Sequence, residues 1–208
     1  MSVGKRLSTA CGQRAIFPEV LAASTNGVAS GNRTFAGPAC EVGDLLIGMV
    51  SHGNAVVSAS GWTKFGTKTG PYALSLFYKV ADSTSGAMAV SFSASSYSSG
   101  VVFRIKKGTF ALPLAIGAAF STDSANPPAV GSPALLNAWF AFAGGIIDSG
   151  PGYPLPSFRS GIVSQNTSAY AVCATLDFVG TSFDPGGFSG FNASYDRSAT
   201  IYVAGANT

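Results

Sequence analysis

From residue 44 to residue 105 the chain is a succession of short apolar runs separated by clusters of Gly, Ser and Asn. Residues 45–51 (LLIGMVS) open with six consecutive apolar or Gly positions. An unbroken run of that length predicts a strand buried on both faces or lying in a sandwich interior. Residues 72–80 (YALSLFYKV) alternate instead. Tyr72, Leu74, Leu76 and Tyr78 share one face, and Ala73, Ser75, Phe77 and Lys79 share the other. That period of two predicts a strand. Residues 88–92 alternate in the same way, and residues 55–59 and 101–105 read as further strands. Turns are predicted at 52–54 (HGN), 60–61 (SG), 67–71 and 82–86, where Gly, Pro, Asn and Asp gather. The second half predicts strands at 116–120, 135–143, 169–179 and 199–204, with turn-dense loops at 148–156 (DSGPGYPLP) and 181–190. No segment carries an apolar period of 3.6 residues, so helix content is expected to be very low.

The two halves match each other. GDLLIGMVSHG at 43–53 lines up with PALLNAWFAFAGG at 133–145, and YALSLFYKVADSTSG at 72–86 with the segment starting at Tyr170. FSASSYSSGVVFRI at 92–105 lines up with FNASYDRSATIYV at 191–203. The expected fold is all-β: an antiparallel, jelly-roll-like β-sandwich of two similar halves, about 43–108 and 133–204. Residues 36–208 are expected as one domain, preceded by an N-terminal arm at 1–35. Three states are open for the arm: disordered, pinned to something else, or an edge strand of its own domain. Lys5, Arg6, Arg14 and Phe17 are its candidate docking residues. Residues 24–32, rich in Ser, Thr, Asn and Gly, are expected as a loop.

Charge changes the picture. Only 10% of the 208 residues are Asp, Glu, Lys or Arg, against roughly 25% in an ordinary soluble domain. Such a surface is expected to be covered by partner subunits, or to be of the Ser/Thr/Asn/Gly type. Lys5-Arg6 and Lys106-Lys107 are adjacent basic pairs, and the net charge is +3. That is too sparse for nucleic acid. No apolar run reaches the roughly 18 residues of a membrane span, and no leader is read at the N-terminus. Synthesis in a cytoplasm without membrane insertion is the expectation. Cys11, Cys40 and Cys173 show no metal-ligand spacing and are expected as reduced, mostly buried thiols, with a Cys11–Cys40 bridge as the alternative.

Catalytic chemistry is hard to assemble. His52 is the one histidine, and there is no GxSxG elbow. His52 is expected as a turn residue bonded to backbone. The acids (Glu19, Glu41, Asp44, Asp82, Asp123, Asp148, Asp177, Asp184 and Asp196) are scattered without the close spacing a calcium site uses. Most of the Asp residues adjoin Gly, Ser or Pro, where an Asp caps a turn. No metal, cofactor or catalytic residue is expected. Tyr153, Phe158, Phe183 and Phe188 stand in loop-like stretches; they either stack on a sugar ring or plug the sandwich ends or a subunit interface. Trp62 and Trp139 are expected in the core.

GDLLIGMVS, SGWTKFG, ALSLFYKVADS, VSFSASS and GVVFRI in succession resemble a pattern of bacteriophage proteins, "gDlLl…v", "sGWt" and "l..yyKva", with a closing strand after a Ser/Gly loop. PPAVG, ALLNAWFAFAGG and FDPGGFSG look like its continuation, so the resemblance covers roughly residues 38–204. The family comprises β-sandwich virion structural proteins: head decoration proteins and tail-fibre or spike modules. The resemblance implies a phage structural role and no enzymatic activity. The expectation is a head decoration or accessory tail component of the virion. It would form homo-oligomers and bind other virion proteins. The alternative is a receptor-binding module for a host-surface glycan, with Tyr153 and Phe158 as its contacts.

Overall fold

The computed structural model describes residues 6–8, 14–28, 31–53, 55, 57–70, 72–94, 97–121, 126–145, 160–165, 170–188 and 197–206. Among them there is no helix. The strands in chain order are β1 (Arg6–Ser8), β2 (Arg14–Ile16), β3 (Val20–Val28), β4 (Arg33–Phe35), β5 (Leu45–Gly53), β6 (Val57–Ala59), β7 (Thr63–Lys68), β8 (Tyr72–Val80) and β9 (Met88–Phe92). They continue as β10 (Ser98–Ile105), β11 (Ile116–Ser121), β12 (Val130–Gly131), β13 (Leu136–Gly145), β14 (Ser160–Gln165), β15 (Tyr170–Val179), β16 (Ser182–Phe183) and β17 (Arg197–Ala204).

Two five-stranded antiparallel sheets make the sandwich. The first has the order β3-β10-β5-β8-β7 and the second β11-β17-β13-β15-β14. Central strand β5 faces β13, β10 faces β15, and β8 faces β17. Edge β3 meets β14 and edge β7 meets β11. Between the sheets lies the main core. Leu45, Ile47, Met49, Leu74 and Phe103 come from one side, and Phe140, Phe142, Cys173, Ile201 and Val203 from the other. Phe103 and Phe140 meet edge to face at 5.1 Å. A three-stranded lid, β4-β9-β6, covers the far face of the first sheet with Phe35, Val57, Met88 and Val90 packed on Val50, Phe77 and Val102. The first sheet is therefore a middle layer, which is why β5 is buried on both faces.

Several expectations take a different form. Residues 20–28 are an edge strand paired with β10, the edge-strand alternative for the arm, so the loop expected at 24–32 is strand as far as Val28. The Ser, Thr and Gly there sit on a sheet edge, where backbone pairing outweighs their turn preference. β5 runs through His52 and Gly53, because β8 pairs with it to Gly53 and β10 to His52. β14 (SGIVSQ) has only two large apolar residues and gave no strand pattern. Every strand of the first sheet precedes every strand of the second, so jelly-roll exchange between the two large sheets is not seen.

Strand for strand the two sheet orders coincide: β3 with β11, β10 with β17, β5 with β13, β8 with β15, β7 with β14. The pair β4–β9 has its counterpart in β12–β16. Equivalent hydrogen bonds set the offset: Ala81 N donates to Asp44 O at 2.8 Å, and Gly180 N to Leu135 O at 2.7 Å. Asp44 thus matches Leu135, one residue away from the string match of GDLL with PALL. The slip follows from side-chain parity. Leu45, Ile47 and Met49 face the core, as do Ala138, Phe140 and Phe142. The string match would put Asn137 among them.

Candidate functional site

His52, expected in a turn, is 2% exposed on the lid-facing side of β5. Its Nδ1 lies 2.6 Å from Gly53 O and its Nε2 2.9 Å from Ser75 Oγ. Ser75 Oγ is in turn 3.1 Å from Thr67 Oγ1. A protonated Nδ1 donating to the carbonyl leaves Nε2 to accept from the serine. This is a histidine–serine contact, but a backbone carbonyl stands where a carboxylate orienter would be needed. Ser75 is fully buried. Burial holds the imidazole at about 4, below the ordinary 6.5, against the opposing bond to Gly53 and with a further lowering from Lys64. The network is a neutral clasp beneath the lid, with Phe92 tilted against the ring at 5.7 Å.

The Asp of the GDLL motif has structural work. Gly43 takes a φ of 94° in the turn entering β5, a conformation suited to glycine. Asp44, fully buried, accepts from Glu41 N at 2.7 Å, Lys107 N at 2.9 Å and Arg104 Nε at 2.6 Å. Burial alone would raise this carboxyl. The two backbone N–H groups and the guanidinium outweigh it and hold the carboxyl below its ordinary value. Arg104 also donates to Ala39 O and reaches Glu41. Both carboxylate oxygens of Asp44 thus serve the turn and the end of β10. Asp184 accepts from Gly186 N, the turn cap expected of it. No group of His, Cys, Asp and Glu among the described residues has the arrangement of a metal site. Cys40 and Cys173 are free and buried; Cys11, Asp123, Asp148 and Asp196 lie outside the described residues.

The arm candidates fall in a β-hairpin. Arg6 of β1 pairs with Ile16 and Ser8 with Arg14 of β2. Phe17 follows, half-buried, and Ile16 N donates to Ala206 O at 2.9 Å. Lys5, Tyr153 and Phe158 lie outside the described residues. Phe183 is not a free loop aromatic: in β16 it stacks on Trp139 at 5.5 Å and on Phe178 at 5.4 Å. Trp139 is fully buried, and Trp62 is partly buried against the lid.

One end of the sandwich draws the remaining features together, and no sequence motif marked it. The connection from β10 to β11 joins the ends of both sheets. Lys106 N donates to Glu19 O, Ala206 N to Thr109 O, and Phe110 bridges to Gly205. The start of β5 and the start of β13 therefore share this end, called here the base. Eight large apolar side chains are exposed among the described residues. Leu21, Val42 and Val80 stand at the base of the first sheet. Leu112 (78% exposed), Leu135 (59%), Phe178 and Val179 stand at the base of the second. Only Tyr97 lies elsewhere, beside Gly53 at the opposite end. Five ion pairs stand at the same base, among them Lys79–Asp82, Lys106–Glu19 and Lys107–Glu41. The available signals were Leu135-Leu136, a doublet of which a strand buries one member, and Leu112 in the proline-bounded loop before β11.

No protein-family model, curated protein or solved structure matches the chain.

Proposed function

We propose that the chain is a virion structural protein, a head decoration or accessory tail component acting through subunit–subunit contacts. The observation that carries this reading is the gathering of seven of the eight exposed large apolar side chains at one end. Scattered apolar residues are ordinary on a soluble surface, whereas a gathered set is what a docking face requires. Low charge, the resemblance to phage sandwich proteins and the enclosed His52 and Asp44 point the same way. The mechanism is burial of apolar surface between subunits.

Quantitative mass spectrometry of purified particles tests it. The expected result is the polypeptide at a fixed copy number per particle, hundreds for a shell coating or a dozen and fewer for a vertex or baseplate position. Absence from washed particles would refute it. The alternative, recognition of a host-surface glycan, draws on Phe178, Phe183 and Tyr202, the partly exposed rings beside the buried Trp139 on the outer side of the second sheet. Glycan-array binding by the isolated protein, without recovery on particles, would favour it.

A further inference from the structure

We propose that His52 and Phe92 form an acid-operated latch: when the imidazole takes up a proton, the Phe92 end of the lid moves off β5 while the two large sheets stay closed. The latch stands apart from the virion reading and does not depend on it.

Two kinds of neighbour enclose the ring. The polar ones tolerate a proton. Nε2 meets Ser75 Oγ, which meets Thr67 Oγ1, and a hydroxyl both donates and accepts. On protonation Nε2 donates to Ser75, Ser75 turns its own proton to Thr67, and Nδ1 keeps its bond to Gly53 O. No hydrogen bond is lost there. What the enclosed imidazolium lacks is water. The neighbour that keeps water out without bonding to the ring is Phe92 of β9, tilted against it at 5.7 Å.

Charge does not replace the water. β10 sets Ser98 beside His52, β8 brings Ala73 and Ser75, and β6 pairs Val57 with Phe92. The titratable groups at this end are cations. Lys64 of β7 donates from Nζ to Val57 O at 3.1 Å, and its charge opposes a second one on the ring. Arg33 of β4 lies on the same strand face as Phe35, with Nη2 buried and without a hydrogen-bond partner. The acids Glu19, Glu41, Asp44 and Asp82 are at the base, in ion pairs.

The lid is also shallowest here. Phe35, Met88 and Val90 are closed over, whereas Phe92 and Arg33 are half-buried. Toward the base the lid is tied by the Ala39–Ser85 bridge and by Cys40 N donating to Thr84 O at 3.2 Å. Displacing one ring therefore admits water to His52 and leaves Phe35, Met88 and Val90 seated on Val50, Phe77 and Val102. Burial holds the closed imidazole at about 4, against an ordinary 6.5. The opened form binds the proton that the closed form refuses, so it gains population as pH falls.

Native-state hydrogen exchange of the full chain, followed by NMR at pH 7.5 and pH 5 and corrected for intrinsic rates, tests the latch. The amides of residues 57–59 and 90–92 are expected to exchange through an opening that urea does not promote, its population rising about 25-fold on acidification. The amides of β13 are expected to follow urea, as global unfolding does. His52→Gln is expected to abolish the rise at 57–59 and 90–92. Because His52 is the one histidine, its own titration gives a second measurement should that variant fail to fold. Phe92→Ala is expected to lift the midpoint from about 4 toward 6.5. The proposal is overturned if lid and β13 share one urea-dependent opening, if the rise persists in His52→Gln, or if Phe92→Ala leaves the midpoint in place.

Discussion

The outer faces of the two sheets fill the same space by opposite means. In the first sheet β5 places Gly48 there, and the volume is taken by Met88 and Trp62 from the lid side. A Cβ on Gly48 would stand 2.5 Å from Met88 Sδ and 3.4 Å from the Trp62 ring. In the second sheet the matching residue of β13 is Trp139. It fills the space from the sheet itself, against Tyr202 at 6.0 Å and Phe183. The strand entries differ in the same spirit. Asp44 anchors the start of β5 through charge, with Arg104 as its partner. At the start of β13 the matching residue is the exposed Leu135, and the anchoring passes to a neutral amide. Asn137 Nδ2 donates to Ala134 O at 2.8 Å and Gly180 O at 2.9 Å, while Ser132 Oγ donates to Asn137 Oδ1 at 2.6 Å. Shared strand order therefore does not require shared side chains; it requires that each packing volume and each orphan backbone group be supplied from somewhere.

The largest test of that comparison is Trp139→Ala. With the side chain fully buried, the loss is expected to be about 4 kcal/mol, from transfer and residual cavity together. Gly48→Ala at the matching position is expected to cost far less, because the atom it meets is the flexible end of Met88. Urea denaturation of both variants measures the difference. Equal losses would mean that the two faces are not equivalent packing volumes.

Asp44→Ala comes next. It leaves Arg104 without its buried carboxylate and two backbone N–H groups without an acceptor, so about 3 kcal/mol is expected to be lost. Asp82→Ala serves as the control. It removes a solvent-exposed carboxylate paired with Lys79 and is expected to leave the denaturation midpoint nearly unmoved. A matching loss in both would remove the claim that Asp44 anchors the strand.

The smallest effect is a pH slope found only in the first half, where His52 sits opposite nothing titratable at the matching Ala143. The unfolded chain takes up a proton on His52 below about 6.5, and the folded chain does so only near 4. Stability is then full above pH 6.5 and declines as pH falls toward 4, by about 2 kcal/mol between pH 7 and pH 5. His52→Gln is expected to flatten that window in denaturation curves taken at the two pH values. An unchanged slope would show that the imidazole is not the group responsible.

Period and punctuation in the sequence determined much of the secondary structure. The alternation of Tyr72 to Val80 named both faces of β8, and the unbroken run at 45–50 announced a deeply buried strand. Local sequence carries that information because a strand's side chains alternate by covalent geometry alone. Tertiary structure decided the rest. It set the one-residue register between the halves, because inward parity depends on the facing sheet. It made Ser24 and Gly27 strand residues, because β10 offered partners. It placed His52 within β5 instead of in a turn and enclosed Asp44 against Arg104, because such burial and hydrogen bonding arise only when distant strands close over them. It also brought Val42, Leu112, Leu135 and Val179 to one end. Their separation along the chain hides this from any local pattern, since only strand pairing and the 106–110 connection determine which strand ends become neighbours.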